Sequence, residues 1–238
     1  MSDLHSSLYR RVLVQRIVGA NRATMEETVA VESMTEVFLN ERRVSVLVHS
    51  PGLEDELVLG HLLSEGLVPS VSCVSSLRMD ANTCHVTTID APSESLADDR
   101  WASSLRREYL FSLRKSAIRR QTLHKETGGA HFAVVANPAN AEVVFVEDIS
   151  RHSAVDKAIG TALRARWCLS HSLLLSSGRV THDILNKAVR TRVPCVVSLA
   201  VASDAAIGLA AASGVTLIGK LSDEGFWLYH EGGTRIED

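Results

Sequence analysis

The chain has 238 residues, of which 45% are hydrophobic and 22% charged, and its formal net charge at pH 7 is −3. That balance suits one compact soluble domain or two small ones and gives no sign of a nucleic-acid or anionic membrane surface. No apolar run reaches the roughly 18 residues that span a bilayer, and the first residues lack a secretion signal, so we expect a cytoplasmic protein with no membrane and no nucleic-acid partner.

The chain contains four cysteines, Cys73, Cys84, Cys168 and Cys195. None of them forms a C-x-x-C pair, and no two are closer than 11 positions, which argues against a zinc ribbon and a thioredoxin-like redox pair. In a reducing compartment we expect four free thiols. The sequence predicts no metal held by protein side chains.

The first third of the chain is predicted to be rich in β-strands. Its first 20 or so residues are polar and mixed, and we expect them to be loosely held. Valine-rich alternation from Thr28 to His49, broken at 39–43, predicts a β-hairpin. Acidic residues followed by leucines predict a helix over 53–66. Two further short strands are predicted at 74–79 and 85–89.

The middle of the chain is interpreted as a linker followed by a basic helix. Residues 91–99 are polar and contain Pro92, which is typical of a linker. Residues 105–125 carry many basic side chains, which form either a solvated helix face or an anion-binding face. We place the domain boundary in this part of the chain, between residues 1–97 and residues 98–238.

Strand-like and helical stretches alternate after Gly128, which predicts a layered α/β domain. The predicted strands are 132–136, 143–146, 173–175, 195–199 and 216–218. The predicted helices are 155–169, 181–190 and 203–212. The fold class is therefore α/β, with a smaller β-rich α+β domain at the N-terminus.

Four short segments place glycine or small residues beside charged or polar ones where a predicted strand meets a helix. Ligands of open α/β sheets bind at such junctions, because exposed backbone amides and helix N-termini converge there. The segments are Thr127–His131, Glu147–Lys157, Ser176–Thr181 and Leu217–Lys220.

Each segment has a structural interpretation beside the functional one. Gly128-Gly129 is either a tight turn or a close backbone approach to a ligand that His131 contacts. The ionisable groups of Glu147–Lys157 form either a salt-bridge cluster or a binding site. The serines and Arg179 of the third segment make either a helix cap or a phosphate seat. Gly219 is either a tight turn or an open path to a ligand.

Together, in this order, the segments resemble the FdhD family of formate dehydrogenase accessory proteins. The family's E-D-V-G-R-H-N-A-V-D-K pattern appears as residues 147–157, and its T-G-G-x-H appears as residues 127–131. Its S-G-R-V appears as residues 177–180, with Lys187 on the following helix. The resemblance extends from about Thr28 to Tyr229.

The resemblance implies a fold, a function and partners. The fold is a cytidine-deaminase-like α/β domain beside a smaller β-rich domain, in a cytoplasmic homodimer. Family members receive persulfide sulfur from a cysteine desulfurase. They pass it to bis-molybdopterin guanine dinucleotide, the molybdenum cofactor, before that cofactor enters formate dehydrogenase or a related molybdoenzyme.

Specific site residues follow from the segments and the resemblance. The residues expected to contact the cofactor are His131, Arg151, His152, Arg179, Lys187, Gly219 and Lys220. The residues expected to support them are Gly128, Gly129, Glu147, Asp148, Asp156, Lys157, Ser177 and Gly178. Glu147, Asp148 and Asp156 are acidic and are expected to orient the cations rather than touch an anionic ligand.

The chain departs from the family pattern where sulfur chemistry is expected. The family carries C-G-x-C-G just before T-G-G-x-H, whereas residues 111–118 contain no cysteine. A thiolate is the nucleophile of persulfide chemistry and serine cannot replace it, so no catalytic residue is predicted. The family's G-F-x-R-G loop is Gly219–Asp223 here. The carboxylates of Asp223 and the following Glu224 are expected to repel a polyanionic ligand at this loop.

Two functions follow as hypotheses. The first is an accessory protein of FdhD type that binds the cofactor, with sulfur transfer left open. The alternative is a catalytically degenerate paralogue that acts as a cofactor-binding or partner-binding scaffold. A zinc deaminase, suggested by the fold alone, is excluded because the combined H-x-E and P-C-x-x-C ligand signature is absent: no P-C-x-x-C occurs in the sequence.

Overall fold

A computed structural model describes residues 8–90 and 103–238. Within these residues the chain is a mixed α/β protein with four β-sheets and six α-helices. Residues 91–99, predicted as a linker, and the predicted domain boundary at 97/98 lie outside the described residues, so both stay predictions.

A long β-hairpin opens the described chain. Its strands are β1 (Tyr9–Val18) and β2 (Asn21–Ala30), which pair antiparallel over ten positions. The expectation that the first 20 residues are loosely held is therefore wrong for β1. Alternation in β1 is hard to see because Leu13 and Ile17 stand exposed on the strand among arginines.

The second sheet has four strands in the order β4-β3-β6-β5. They are β3 (Ser33–Leu39), β4 (Arg42–His49), β5 (Val74–Asp80) and β6 (Thr83–Thr88). The predicted hairpin is confirmed as β3–β4, and its turn residues Asn40 and Glu41 both have positive φ, as a two-residue hairpin turn requires. The predicted strands at 74–79 and 85–89 are confirmed as β5 and β6.

The predicted helix at 53–66 is confirmed as α1 (Glu54–Ser64). Three acidic residues occupy its first turn, where they face the positive end of the helix dipole. Gly66 ends the segment with φ 69°, a conformation that glycine adopts without strain. Leu57, Val58 and Leu62 bury one face of α1 against the four-stranded sheet.

The basic stretch forms two helices, α2 (Arg107–Arg120) and α3 (Leu123–Thr127). Leu110, Leu113 and Ala117 bury one face of α2, while Lys115 and the arginines of its last turn are exposed. Strand β7 (Ser103–Arg106), just before α2, pairs with the C-terminal strand β14 (Thr234–Glu237).

The third sheet has six strands in the order β13-β12-β11-β10-β8-β9. They are β8 (His131–Asn137), β9 (Glu142–Asp148), β10 (Leu173–Ser176), β11 (Cys195–Ser198), β12 (Thr216–Gly219) and β13 (Trp227–His230). Strands β10, β11 and β12 are mutually parallel, and the others pair antiparallel. The five strands predicted after Gly128 are confirmed; β13 is an addition.

Helices cover both faces of this sheet. The helices α4 (Arg151–Arg164), α5 (His182–Arg190) and α6 (Asp204–Ser213) pack on one face, and α2 packs on the other. The three predicted helices are confirmed, although α4 begins four residues earlier than the predicted start at Val155. None of the helices in the described ranges is long and apolar enough to cross a membrane.

Two glycines bring α1 and α4 into backbone contact. A Cβ on Gly60 would overlap the carbonyl oxygen of Asp156, and a Cβ on Gly160 would overlap that of Glu56. This crossing joins the layer of the four-stranded sheet to the layer of the six-stranded sheet. Because both contact positions are glycine, the two helices can pack this closely, and the two layers are held at this distance.

We expect Gly160→Ala to destabilise the protein by about 2 kcal/mol or more, because the added methyl group must push two helix backbones apart. Gly208→Ala in α6 is the matched control. A Cβ at Gly208 meets nothing within 4 Å, so helix propensity should make that change neutral or stabilising by up to about 1 kcal/mol. Urea unfolding followed by circular dichroism measures both, and equal effects would contradict a close helix crossing.

Candidate functional site

Four strand ends and one strand start meet at one edge of the six-stranded sheet, which we call the site edge. The start of β8 pairs with the end of β9 through His131 and Asp148, and the end of β10 pairs with β8 through Ser176 and Ala133. Parallel pairing places the ends of β11 and β12 beside the end of β10. The predicted segments around residues 131, 148–152, 177–179 and 219–220 therefore converge.

Two arginines flank Gly178 at the site edge. The Cβ and Cδ atoms of Arg151 lie 3.0 Å from the position that a Cβ on Gly178 would occupy. Arg151 therefore crosses from the end of β9 to the end of β10, and only glycine leaves room for it. The buried Nε of Arg151 has no hydrogen-bond partner among the described residues. Arg179, which follows Gly178 in the segment after β10, is exposed.

Two serine hydroxyls hold the backbone of the site edge in place. The Oγ of Ser177 accepts from the amide of Phe132 at 2.9 Å and lies 3.4 Å from Nδ1 of His131. The Oγ of Ser198 donates to the carbonyl of Gly178 at 2.7 Å and accepts from the amide of Ala200 at 2.9 Å. Ser198 was not predicted, because an isolated serine ending an apolar strand gives no sequence signal.

Helix α5 starts at the site edge without a side-chain cap. Its N-cap residue is Thr181, whose Oγ1 is buried and has no partner within the described chain. Helices α4 and α6 start nearby, and their first turns are capped by Ser150 and Ser203. The amides of the first turn of α5 therefore keep the capacity to bind an anion.

The end of β12 is shaped by an aromatic side chain. A Cβ on Gly219 would meet the ring of Tyr229 at 2.5 Å and the carbonyl oxygen of Ala200 at 2.9 Å, so Gly219 is needed for packing. Lys220 has a positive φ of 52°, and its Nζ lies 3.5 Å from the ring centre of Trp227. Trp227 was missed by the sequence reasoning because it belongs to none of the glycine-bearing segments.

The acidic loop after Lys220 is partly neutralised. Asp223 forms an ion pair with Arg114 of α2, a side chain that is only 18% exposed. The expected penalty for a polyanionic ligand therefore falls on Glu224 alone. The ion pair also explains why one member of the basic helix α2 faces the loop instead of solvent.

Both histidines of the site edge are neutral at pH 7. Burial lowers the pKa of His131 below its ordinary 6.5, and the charge of Arg151 lowers it further. Burial likewise lowers the pKa of His152, together with the charges of Lys187 and Arg151. Each neutral ring can therefore donate one hydrogen bond and accept one, while Arg151, Arg179 and Lys220 supply the positive charge.

Asp148 and Lys157 form a buried pair, the first ion network. The Oδ2 of Asp148 lies 2.7 Å from the Nζ of Lys157, and both side chains are at most 2% exposed. Ser50 binds both of them: its amide donates to Asp148 at 3.0 Å, and its carbonyl accepts from Lys157 at 2.6 Å. The ring of His49 lies 2.7 Å from that same carbonyl. This network ties the end of β4 to the end of β9.

Asp156 and Lys187 form a second ion network between α1, α4 and α5. Their charged atoms lie 3.0 Å apart, and both side chains are 3% exposed. Ser64 donates to Asp156 at 2.7 Å, and Glu65 lies 2.6 Å from Lys187. Burial opposes ionisation of Asp156, but the hydrogen bond from His61 and the charge of Lys187 outweigh it, so the pKa of Asp156 is lowered.

Glu147 caps α3 from outside. Its carboxylate accepts from the amides of Thr122, Leu123 and His124 at 2.6 to 3.0 Å. Gly128 then ends α3 with a positive φ of 65°, and its amide donates to the carbonyl of His124. The geometry therefore supports structural roles for both residues: Glu147 caps the start of α3, and Gly128 forms the turn at its end.

The geometry divides the predicted residues into two groups. His131, Arg151, Arg179, Gly219 and Lys220 lie at the site edge, with Ser177 and Gly178 behind them, and His152 lies in the first turn of α4 beside them. Lys187 was expected to contact the ligand, but its ammonium is buried by three partners within the protein, so we assign it to the second ion network. Glu147, Asp148, Asp156 and Lys157 are structural and pair with neither arginine of the site edge.

Three of the four cysteines are buried. Cys73, Cys84 and Cys195 are at most 5% exposed. Burial raises the pKa of Cys84 to about 11 and that of Cys195 to about 12. His85, which follows Cys84 in the sequence, points to the opposite face of β6 and stacks on Phe38, so it does not act as a base for that thiol. Cys168 is exposed.

Two cavities lie away from the site edge. One of about 370 Å³ lies beside the start of α1 and includes His49, Glu54 and Asp55 in its lining. The other, of about 270 Å³, lies beside α3 and the hairpin β1–β2. Neither of these two cavities is lined by Arg151, Arg179 or Lys220 of the site edge.

The chain is similar to known proteins over nearly its whole length. A model of the FdhD/NarQ family matches residues 30–106 and 87–237. The sulfur carrier protein FdhD of Sulfolobus acidocaldarius is 27% identical, with 92% of this chain and 96% of that protein covered. Protein FdhD of Methanocaldococcus jannaschii is 28% identical, with 94% and 98% covered.

A solved structure is also similar over nearly the whole chain. It is a crystal structure assigned as a formate dehydrogenase accessory protein from Desulfotalea psychrophila. The two chains are 25% identical and superpose with a TM-score of 0.81, and the match covers 94% of this chain and 97% of the other.

We expect Lys187→Met to destabilise the protein by about 3 to 5 kcal/mol at pH 7, because it leaves Asp156 charged and buried. The difference from the wild type should narrow as the pH falls, because the unpaired, buried carboxyl of Asp156 takes up a proton in Lys187→Met while the wild type keeps its pair. Narrowing should end only when the pH passes below the lowered pKa of Asp156 in the wild type, where that carboxyl is protonated in both proteins. Arg11→Met is the control, since the Arg11–Glu26 pair is 75% and 62% exposed and should contribute less than about 1 kcal/mol. Urea unfolding measures each, and a Lys187→Met loss below 1 kcal/mol would contradict the network.

Proposed function

Because the chain belongs to the FdhD/NarQ family, we propose that it serves as an accessory protein for formate dehydrogenase or a related molybdoenzyme. In this proposal it binds the guanine-nucleotide part of bis-molybdopterin guanine dinucleotide at the site edge. The cofactor is cargo that the protein holds and delivers. The observation that carries the proposal is the convergence of Arg151, Arg179 and Lys220 at an edge where helix α5 starts uncapped.

The residues present fit the phosphates of such a ligand. A nucleotide diphosphate needs several donors and positive charge close to an open surface. The unpartnered Nε of Arg151, the unpartnered Oγ1 of Thr181 and the free amides of α5 supply donors. The guanidinium of Arg179 and the ammonium of Lys220 add charge, and the ion pair of Arg114 with Asp223 removes one repulsive carboxylate.

Sulfur transfer through a thiol of this chain is not part of the proposal. Helix α4 runs from the site edge for 14 residues, roughly 21 Å, and Cys168 follows its far end. The exposed thiol is therefore near the start of β10, at the opposite end of the strands from the arginines. The remaining three thiols are buried, and burial raises the pKa of Cys84 and Cys195 and so suppresses their thiolate form.

The finer architecture is proposed together with this function. A parallel β10–β11–β12 core with helices on both faces supports a cytidine-deaminase-like domain over 98–238, and the sheets of the first 90 residues support a β-rich domain over 1–97. A cytoplasmic homodimer and contact with a cysteine desulfurase are proposed on family membership alone.

We expect Arg179→Glu to weaken binding of GDP at least tenfold, because it replaces an attractive charge beside the phosphates with a repulsive one. Arg78→Glu makes the same charge change on an exposed residue of β5, far from the site edge, and should leave GDP binding unchanged. Isothermal titration calorimetry measures both. Equal affinity of the wild type and Arg179→Glu would remove Arg179 from the site, and no GDP binding by the wild type would favour a partner-binding scaffold instead.

We expect Cys168→Ser to retain whatever formate dehydrogenase activity the wild type restores in a bacterial strain that lacks its own FdhD. The exposed thiol lies away from the proposed cofactor site, so its loss should not matter. Incubation with a cysteine desulfurase and cysteine, followed by intact mass measurement, tests the thiols directly. A persulfide on Cys168 together with loss of complementation in Cys168→Ser would restore sulfur transfer to this chain.

A further inference from the structure

Trp227 is a large aromatic side chain that the core does not use. It is 56% exposed, although it stands at the first position of β13 and pairs directly with Gly219 at the end of β12. Its neighbour on the same face of the strand, Tyr229, packs against the core under α6. Trp227 therefore marks the outer end of the site edge, on the sheet face where α5 and α6 begin.

A lysine is held over this ring. The Nζ of Lys220 lies 3.5 Å from the ring centre of Trp227, which is a close cation–π contact. Lys220 reaches this position from a left-handed backbone conformation with φ 52°, which is unfavourable for a residue with a side chain and tends to occur at functional positions. An exposed indole can stack against a nucleotide base. A cation beside it adds positive charge that attracts the phosphates of the same nucleotide.

We propose that Trp227, with Lys220 beside it, is a stacking platform for the purine base of a nucleotide whose phosphates lie at Arg179 and the start of α5. This assignment rests on the proposed function and names where the base lies. Lysine covers one face of the indole, and the base stacks on the part of the ring that stays exposed. Stacking depends on the π-face, so the platform accepts purines in general and does not by itself select guanine.

The spacing of the sheet supports this placement. Strand β13 is three positions from β10 in the sheet order, and neighbouring strands lie about 4.8 Å apart, which gives roughly 14 Å. That span is the reach of an extended nucleoside diphosphate from its base to its terminal phosphate. Lys220, at the end of β12, lies between the two ends.

The test measures GDP and inorganic pyrophosphate separately by calorimetry, with the full chain as wild type, Trp227→Leu and Trp227→Phe. Pyrophosphate carries the phosphates without a base, so it reports on Arg179 and α5 alone. We expect Trp227→Leu to lose about tenfold in GDP affinity and to keep its pyrophosphate affinity. Trp227→Phe keeps a ring and should retain most of the GDP affinity.

Each other outcome overturns the assignment in a distinct way. GDP affinity unchanged in Trp227→Leu would remove the platform and leave the proposed function standing. An equal loss for GDP and pyrophosphate would make Trp227 a residue that positions Lys220, and an equal loss in both variants would exclude ring stacking. If the wild type binds neither probe, the proposed function falls and the platform falls with it.

Discussion

The buried charges between the two sheet layers are the constraint on which the rest of the structure depends. Asp148 with Lys157, and Asp156 with Lys187, are pairs with almost no solvent contact. Removing such charges from water is costly, so each must keep its partner and its additional hydrogen bonds. Those bonds come from the end of β4 and the end of α1. The pairs therefore allow few positions of the four-stranded sheet relative to α4. A purely hydrophobic contact would be less selective, because apolar side chains do not require particular partners.

The position of Arg151 at the site edge follows from these pairs. Asp148 ends β9, Lys157 lies in the second turn of α4, and their contact sets the angle at which the chain turns from strand into helix. In the first turn of that helix Arg151 and His152 face outward while Ser153 faces inward and donates to the carbonyl of Val48. One short motif thus contains two kinds of residue. The inward ones hold two layers together, and the outward ones lie at the site edge.

Much of the fold could be predicted from the sequence, because periodicity and turn residues are local signals. The helix α1, the hairpin β3–β4 and the strands and helices after Gly128 all follow from such signals. Hairpin β1–β2 could not be found, since its exposed Leu13 and Ile17 break the expected alternation. The residues predicted for the site do lie at neighbouring strand ends, but the sequence could not separate those at the site edge from those in the buried ion networks. Whether Lys187 faces a ligand or a buried carboxylate depends on Glu65 and Ser64, which are over a hundred residues away in sequence.

The positions of thiols and cations separate the two steps that the resemblance to the FdhD family implies, which are cofactor binding and sulfur transfer. Holding a nucleotide-bearing cofactor needs donors and positive charge at a surface, and the site edge retains these in Arg151, Arg179 and Lys220. Passing sulfur needs a thiolate within reach of the same surface. The core supplies no such group, because a buried cysteine behaves as a small apolar residue. Cys168 is exposed but lies beyond the far end of α4. The length of α4, roughly 21 Å, separates that thiol from the site edge of the same chain. The proposed cofactor binding therefore depends on none of the four thiols of this chain.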